Sequence, residues 1–329
     1  MPPQITVQDL PIPLPPDQST HILALLSQHL PYSHHVLRRL QFAQHSPAGR
    51  TPTAHLLWVT TTTTTTTTTN SSAGGDDFAA AYVDLSRHPE TQVFPYATTE
   101  DGHPGTLPAP APAADLLLAV MRRVRGIARA EGAGLGVMFG SLHGGLREAV
   151  LLRGGSGGGG GGLRTSYTNV HEKWLLPLGD LPWPGAEDAV REWMAREGMG
   201  WGVVEGAEDC RLVISRTRIP KSEATLMTLP SMSVRLKDGT MVAWAFMGVD
   251  GTLSTLHVEE PYRGKGLAKA LAVRIMRQHH PAFSDDGWCA ADVHVDNKQS
   301  QGVCKSMGGY IGWRNSWTRF ELDTLSDAV

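Results

Sequence analysis

Apolar positions along this chain switch between two periods, and the switch is sharpest in its last third. Leu256–Met276 reads LHVEEPYRGKGLAKALAVRIM: a strand end, a turn carrying Arg263-Gly264-Lys265-Gly266, then a helix. Ala268, Leu271, Ala272, Ile275 and Met276 fall at i, i+3, i+4, i+7 and i+8, the stripe one buried helix face requires. Upstream, Ser231–Leu236, Met241–Val249 and Thr252–Glu259 read as strands, separated by the tight turns Lys237-Asp238-Gly239-Thr240 and Asp250-Gly251. Two successive Asp-Gly hairpins predict an antiparallel meander. Met241–Val249 is almost wholly apolar, as a central strand buried on both faces would be. Trp288–Asp296 is the next strand, and strand–helix–strand in one sheet implies a right-handed parallel crossover. A helix near Ser300–Met307 ends at Gly308-Gly309, and Tyr310–Leu322 is expected to close as an aromatic strand pair.

The first half is less regular. Residues 1–17 read as an extended, proline-rich lead-in. Two short amphipathic helices follow, broken by Pro31, with Ser19 or Thr20 as N-cap of the first. Ala54–Val59, Ala79–Leu85, Thr91–Tyr96 and Leu135–Phe139 are strand-like, and Asp115–Glu131 is a helix with Asp115 as N-cap. Thr99–Ala114 reads as a loop, and a helix is expected from about Ala186 to Glu197, with another around Ser222–Thr228. Thr60–Thr69 has no alternation and Gly154–Gly162 has no Lys-Ser/Thr ending before a helix, so both read as mobile inserts rather than a strand core and a phosphate loop.

Composition narrows the class. A chain of 329 residues suits two domains, and a 41% hydrophobic share can bury a core. A net charge of −3 offers no basic field for nucleic acid or an anionic membrane. Cys210, Cys289 and Cys304 lie far apart without a CxxC, which argues against a disulfide framework and a zinc site. His21, His29, His34 and His35 lack convergent carboxylates and read as surface or core histidines. No apolar run reaches the length of a membrane span, and no signal peptide is apparent, so a soluble cytoplasmic protein is the expectation.

The turn at Arg263–Gly266 carries the chemistry. Glycines let backbone N–H groups approach an anion, and a helix start adds unpaired N–H groups and positive dipole charge. Alone, RGKG is equally consistent with a solvated turn. In context, the meander, the RGKGLA turn and helix, and a parallel strand followed by Asn297-x-x-Ser300 resemble the GCN5-related N-acetyltransferase superfamily over roughly residues 205–329. Within it the chain is similar to the glycine N-acyltransferase-like (FR47-like) group, through Glu260-Pro261-Tyr262-Arg263, Ser316-Trp317 and, more weakly, HLPYSHHV and YVDLSRHPETQVFPY in the first half.

The resemblance implies an α/β fold (an α+β mixed sheet), a tandem in which residues 1–200 form a degenerate acyltransferase-like domain and 201–329 the acyl-CoA-binding one. It implies acetyl-CoA or another acyl-CoA as co-substrate, held by Leu256, Val258, Arg263, Gly264, Lys265, Gly266, Leu267, Ala268, Asn297 and Ser300, with Val258 near the oxyanion and no metal. The partner would be a small-molecule amine or amino acid, with no nucleic acid or membrane. Members of the group also work in mitochondria. Two positions depart from the pattern: Thr252 stands where a glutamate base is common, and Cys304 where a tyrosine acid is common.

The remaining base candidates are His257, then His294, then Glu259. Strand alternation sets Asp292, His294 and Asp296 on one face, so either carboxylate would raise the pKa of His294; three ligands from one strand diverge too far to hold a metal. Alternatively, a water chain deprotonates the amine. Arg216, Arg218 and Lys221 are either solvated or hold an acceptor carboxylate. The leading function is N-acyl transfer from acyl-CoA to a small amine in a ternary complex; the alternatives are a protein or peptide N-acetyltransferase and a non-catalytic acyl-CoA-binding protein.

Overall fold

The computed structural model describes residues 4–47, 50–62, 77–154, 162–182, 188–282 and 285–327. The chain divides into two compact units, Met1–His171 with Trp313–Val329, and Glu172–Gly312. Thr63–Thr69 of the threonine tract and residues 155–161 of the glycine tract lie outside the described residues.

In the first unit, β1 (Gln4–Pro11), α1 (Pro16–Gln28), α2 (His34–His45), β2 (Ala54–Thr62), β3 (Phe78–Asp84), β4 (Val93–Ala97), α3 (Ala111–Glu131), β5 (Gly136–His143) and α4 (Gly144–Gly154) follow in order. The strand order is β1-β2-β3-β4-β5-β12, with β12 (Tyr310–Glu321) supplied by the end of the chain. All pairs are antiparallel except β4–β5, which is parallel at Val93↔Phe139 and connected through α3.

Strand period two explains the layers. In β3, Phe78, Ala80 and Tyr82 join Trp58, Tyr96 and the apolar stripe Ile22, Leu26, Val36, Leu37 and Leu40 of α1 and α2. Ala79, Ala81 and Val83 point the other way, against Leu116, Leu117, Val120, Met121 and Val124 of α3. Each fully buried side chain of this size contributes about 1.5–3 kcal/mol, so both faces of β3 are committed.

Several local expectations give way here. The lead-in is a strand: as the edge of the sheet, β1 pairs with β2 along its whole length and tolerates Pro11 at its end. Its partner β2 continues through Thr60 and Thr61 into the threonine tract. Neither Ser19 nor Thr20 caps α1; Pro15 is the N-cap and Pro16 opens the helix, where its missing N–H costs nothing. α3 likewise starts earlier, behind Pro110, and Asp115 instead binds Arg153 of α4 through Nε (2.6 Å) and Nη2 (3.0 Å). α4 escaped notice because its glycine-led start lacks any cap signal.

The second unit contains the end of β6 (Arg164–Pro177), α5 (Asp188–Arg196), β7 (Gly200–Gly202), α6 (Gly206–Ser215), α7 (Glu223–Met227), β8 (Ser231–Arg235), β9 (Met241–Met247), β10 (Thr252–Val258), α8 (Leu267–His279), β11 (Trp288–His294) and α9 (Lys298–Ser306). Its strand order is β6-β11-β10-β9-β8-β7. The expected meander is present, and β10–β11 is the expected parallel pair. Residues 186–187 of the expected helix lie outside the described residues; α5 covers Asp188–Arg196 of it and stops one residue before Glu197. Tyr310–Glu321 is one long strand rather than a pair, because no turn residue interrupts its pattern.

β9 is buried throughout, and its alternate side chains serve two faces. Trp244 and Phe246 pack with Cys210 and Val213 of α6 and Leu226 of α7. α8 buries Leu267, Ala270, Leu271, Ala272, Val273, Ile275 and Met276, packing across β8, β9 and β10.

Candidate active site

The parallel ladder of β10 with β11 contains only Thr252↔Ala290 and Leu253↔Ala291; beyond Leu253 the two strands part. The cause lies in β10 itself. Between Ser254↔Phe246 and His257↔Trp244 its register with β9 slips by one residue, and Thr255 takes a left-handed φ of 52°. That conformation is costly for a β-branched residue, and an extra residue bends and twists a strand away from its neighbour. After the bulge the N–H of Glu259 donates to Val242 O at 2.9 Å, so that edge faces β9. The carbonyl of Val258 points the opposite way and accepts from Arg263 Nε at 2.8 Å. By strand alternation the N–H of Val258 shares that side, which is the open side of the fork.

The turn into α8 sits beside this fork. Gly264 and Gly266 hold φ values of 75° and 82°, and Gly266 is the residue before the first helical turn. Such values suit glycine, and a Cβ on Gly266 would also approach Val190 Cγ2 at 3.1 Å. Arg263–Gly266 are exposed, whereas Leu267 is buried under the helix and Ala268 is half-buried. None of the backbone N–H groups of Gly264–Lys269 has a hydrogen-bond acceptor among the described residues. This is a donor-rich cradle of the kind an oligophosphate fills, and the residues present fit an acyl-CoA pyrophosphate. At the mouth of α9, Asn297 accepts from Ser300 N at 3.0 Å and so acts as N-cap, leaving its amide nitrogen for other work.

His257, Glu259 and Arg216 form a group on the face covered by α6 and α7, since cross-strand partners share a face and His257 lies opposite Trp244. The imidazole stacks on the Trp244 indole, centroids 4.6 Å apart and planes 19° apart. Its Nε2 lies 3.6 Å from Glu259 Oε2, and Glu259 Oε1 accepts from Arg216 Nε at 2.9 Å. Neither His257 Nε2 nor Trp244 Nε1, both buried, has a hydrogen-bond partner among the described residues. Burial lowers the His257 pKa from its ordinary value; Glu259 opposes that, while Arg263 and Arg216 add to it. The ring is therefore neutral at physiological pH.

The other candidates are differently occupied. His294 accepts from Asp296 N through Nδ1 at 3.1 Å, which uses the lone pair a base at that atom would need. Lys173 Nζ donates to Asp292 Oδ2 at 2.7 Å. Asp296 is exposed, 3.9 Å from His294 Nδ1. Thr252 is buried and donates its hydroxyl to Asp250 Oδ1 at 2.6 Å. Burial pushes the Cys304 thiol up to about 12, so it stays protonated. Arg218 is exposed and Lys221 half-buried in the segment between α6 and α7. Among the described residues no group of His, Cys, Asp and Glu is arranged to hold a metal, and no helix is long and apolar enough to cross a membrane.

Residues 7–173, a little over half of the sequence, match the family described as "Acyl-CoA N-acyltransferase verG N-terminal domain". The chain belongs to this family of acyl-CoA N-acyltransferases. A comparison with curated proteins finds no match. Among solved structures, a Drosophila protein is 16% identical with a TM-score of 0.56, covering 95% of this chain and 98% of its own. A GCN5-related glucosamine N-acetyltransferase region of a fungal multi-domain GH3 β-N-acetylglucosaminidase is 14% identical with a TM-score of 0.50, covering 97% of this chain and 38% of that one. A tandem GNAT protein from the clavulanic acid biosynthesis pathway is 10% identical with a TM-score of 0.49, over 96% and 98%. The fold is that of the GCN5-related N-acetyltransferases.

The family match falls on the first unit, yet that acyltransferase-like unit lacks the cradle. Where the second unit has Gly-Lys-Gly before its helix, the first has Pro110 and Pro112, which carry no N–H, and Ala113 N donates to Pro110 O at 3.0 Å. The loop before α3 is stitched down: Arg314 N donates to Pro104 O, Ala109 N to Gly145 O, and His143 Nε2 to His103 O. Sequence reasoning missed Trp244, hidden in an apolar run, and Lys173, in a strand it did not delimit. The Asp250-Gly251 hairpin register alone would have set His257 opposite Ala243; the one-residue slip between Ser254 and His257 moves it opposite Trp244, so the sequence carried no signal for that pair.

Proposed function

We propose that this protein is an acyl-CoA-dependent N-acyltransferase that moves an acyl group to the amine of a small molecule or amino acid by direct attack in a ternary complex. The observation that carries the reading is the run of unpaired N–H groups at Gly264–Lys269 beside the fork between β10 and β11. Bound acyl-CoA supplies a thioester carbonyl whose C–S bond breaks as the C–N bond forms, the sulfur leaving as thiolate. The cradle of Gly264, Lys265, Gly266, Leu267 and Ala268, with the Arg263 guanidinium, holds the pyrophosphate. Leu256 and Val258 offer strand edge to the pantetheine arm, and Val258 N–H is the donor for the developing oxyanion. Asn297 and Ser300 flank the same cofactor from α9.

His257 is the base. Burial lowers its pKa and so favours the neutral ring, and it takes the proton that the acceptor's ammonium must lose before the amine attacks. His294 and Glu259 are weaker choices, the first because its Nδ1 is engaged and the second because Arg216 holds it. Thr252 and Cys304 favour a second reading, a non-catalytic acyl-CoA-binding protein, because neither offers the usual base or acid.

Thermal shift with acetyl-, benzoyl- and palmitoyl-CoA, followed by thiol release across a panel of amines and amino acids, separates the readings. Stabilisation with thiol release supports the transferase, and stabilisation without release under any amine supports the binder. No stabilisation by any of the three removes both.

A further inference from the structure

Arg216 sits at the end of α6, half exposed, with Nε on Glu259 Oε1 at 2.9 Å and Nη1 on Ser215 Oγ at 3.3 Å. Glu259 N donates to Val242 O, which ties its backbone to β9. The His257 ring is fixed in plane by Trp244, and its buried Nε2 lies 3.6 Å from Glu259 Oε2, outside hydrogen-bond range. One carboxylate thus stands between a guanidinium that it touches and an imidazole that it falls just short of.

We infer that Arg216 is the subsite for the carboxylate of an amino-acid acceptor, and that filling it hands Glu259 to His257. The inference rests on the transferase reading above and narrows its acceptor to amines that carry an acid group. A guanidinium presents several N–H donors, and two carboxylates sharing it repel each other. An acceptor carboxylate arriving on the solvent side weakens the hold on Glu259, whose Oε2 already lies 3.6 Å from His257 Nε2. The charged groups facing His257 are Glu259 from its own strand, Arg216 from the end of α6 and Arg263 from the turn before α8; β9 contributes the uncharged Trp244. Of these only Glu259 favours the imidazolium, so its approach makes His257 more basic when an amino acid is in place to be deprotonated. The ammonium proton then has His257 Nδ1 as its destination, with Nε2–H directed at Glu259. Glu259 acts here as a positioning residue, which a hydrogen bond from Nε2 to its carboxylate expresses through the tautomer and pKa of the ring.

The test is an NMR titration of the His257 imidazole in the full-length protein, read with glycine, alanine, glutamate and phenylalanine, each against its carboxamide. At least one acid is expected to raise the His257 pKa by about half a unit or more, about threefold in proton affinity, and its amide to leave it unchanged. Arg216→Gln should raise the pKa without any acceptor and abolish the acid effect. Glu259→Gln should lower it, abolish the acid effect, and reduce the Arg216→Gln shift to less than half.

Equal shifts from every acid and its amide, or an Arg216→Gln shift that survives Glu259→Gln, overturn the proposal. The two readings fail separately. An acid-specific shift without thiol release sinks the transferase and keeps the subsite. Thiol release with acids and amides at one common pH profile keeps the transferase and sinks the subsite.

Discussion

Lys173 Nζ lies 2.7 Å from Asp292 Oδ2, with the lysine fully buried and the aspartate nearly so. Asp292 follows Ala291, the last residue of β11 that pairs with β10, so this ion pair marks the start of the fork. A buried pair adds little net stability over an apolar pair, but removing one partner strands the other charge without solvent. Lys173→Met should therefore cost about 3–5 kcal/mol, and Lys173→Met with Asp292→Asn substantially less. Urea denaturation of the two variants checks this; a single variant within about 1 kcal/mol of the parent protein would show that the pair is solvated.

Gly264 and Gly266 separate conformation from contact. Both hold left-handed φ values, but a Cβ on Gly264 meets nothing within 4 Å, whereas one on Gly266 meets Val190 Cγ2 at 3.1 Å. Gly264→Ala should cost about 1–2 kcal/mol from backbone alone, and Gly264→Asn less, because asparagine tolerates this region. Gly266→Ala should cost more than Gly264→Ala and shift the cradle N–H groups as well. Chemical denaturation gives the first comparison and acyl-CoA titration the second.

Arg263 tests the cradle by charge. Its Nε is tied to Val258 O at 2.8 Å, which stations the guanidinium beside the exposed turn. If the proposed acyl-CoA pyrophosphate sits there, Arg263→Glu sets an anion against it, and like charges brought together are strongly unfavourable. The acyl-CoA thermal shift should fall by an amount equal to at least ~10-fold in Kd, since ligand stabilisation scales with the logarithm of occupancy. Arg263→Gln, which removes charge without reversing it, should lose less. An undiminished shift in the charge-reversed variant would remove Arg263–Gly266 from the binding site.

The second half of the fold was legible because its signals are local. Two Asp-Gly hairpins, an all-apolar β9 and a 3.6-period α8 each announce themselves within a short window, and together they position the turn at Arg263–Gly266. The first half was less legible where tertiary partners override local signals. β1 exists through pairing with β2, and Asp115 looked like a cap but is spent on Arg153. The same distinction holds at the site. The glycines that shape the cradle are visible in sequence, but the spacing within β10 does not show the bulge at Thr255 that opens the fork. Nor does the triplet Asp292, His294 and Asp296 reveal that Lys173, far earlier in the chain, takes its first carboxylate.

His143 gives the first unit a pH dependence whose sign follows from its contacts. Burial lowers its pKa from 6.5 to about 4, against the raising effect of its bond to the His103 carbonyl and with a smaller lowering by the His103 side chain. Nε2 donates to His103 O at 3.0 Å while Nδ1 accepts from Gly145 N at 3.2 Å, so both nitrogens are committed to the neutral ring. A group whose folded pKa lies below its unfolded value stabilises the fold above the unfolded pKa. That contribution is lost as pH falls from about 6.5 through about 4, because the unfolded chain binds the proton first. The full loss is about 3 kcal/mol, reached below the folded pKa. His143→Gln, which retains a donor and an acceptor but does not titrate, should be less stable at pH 7 and show a shallower decline between pH 6.5 and 4. Urea midpoints across that window for both proteins decide the matter; parallel curves would assign the acid sensitivity to other groups.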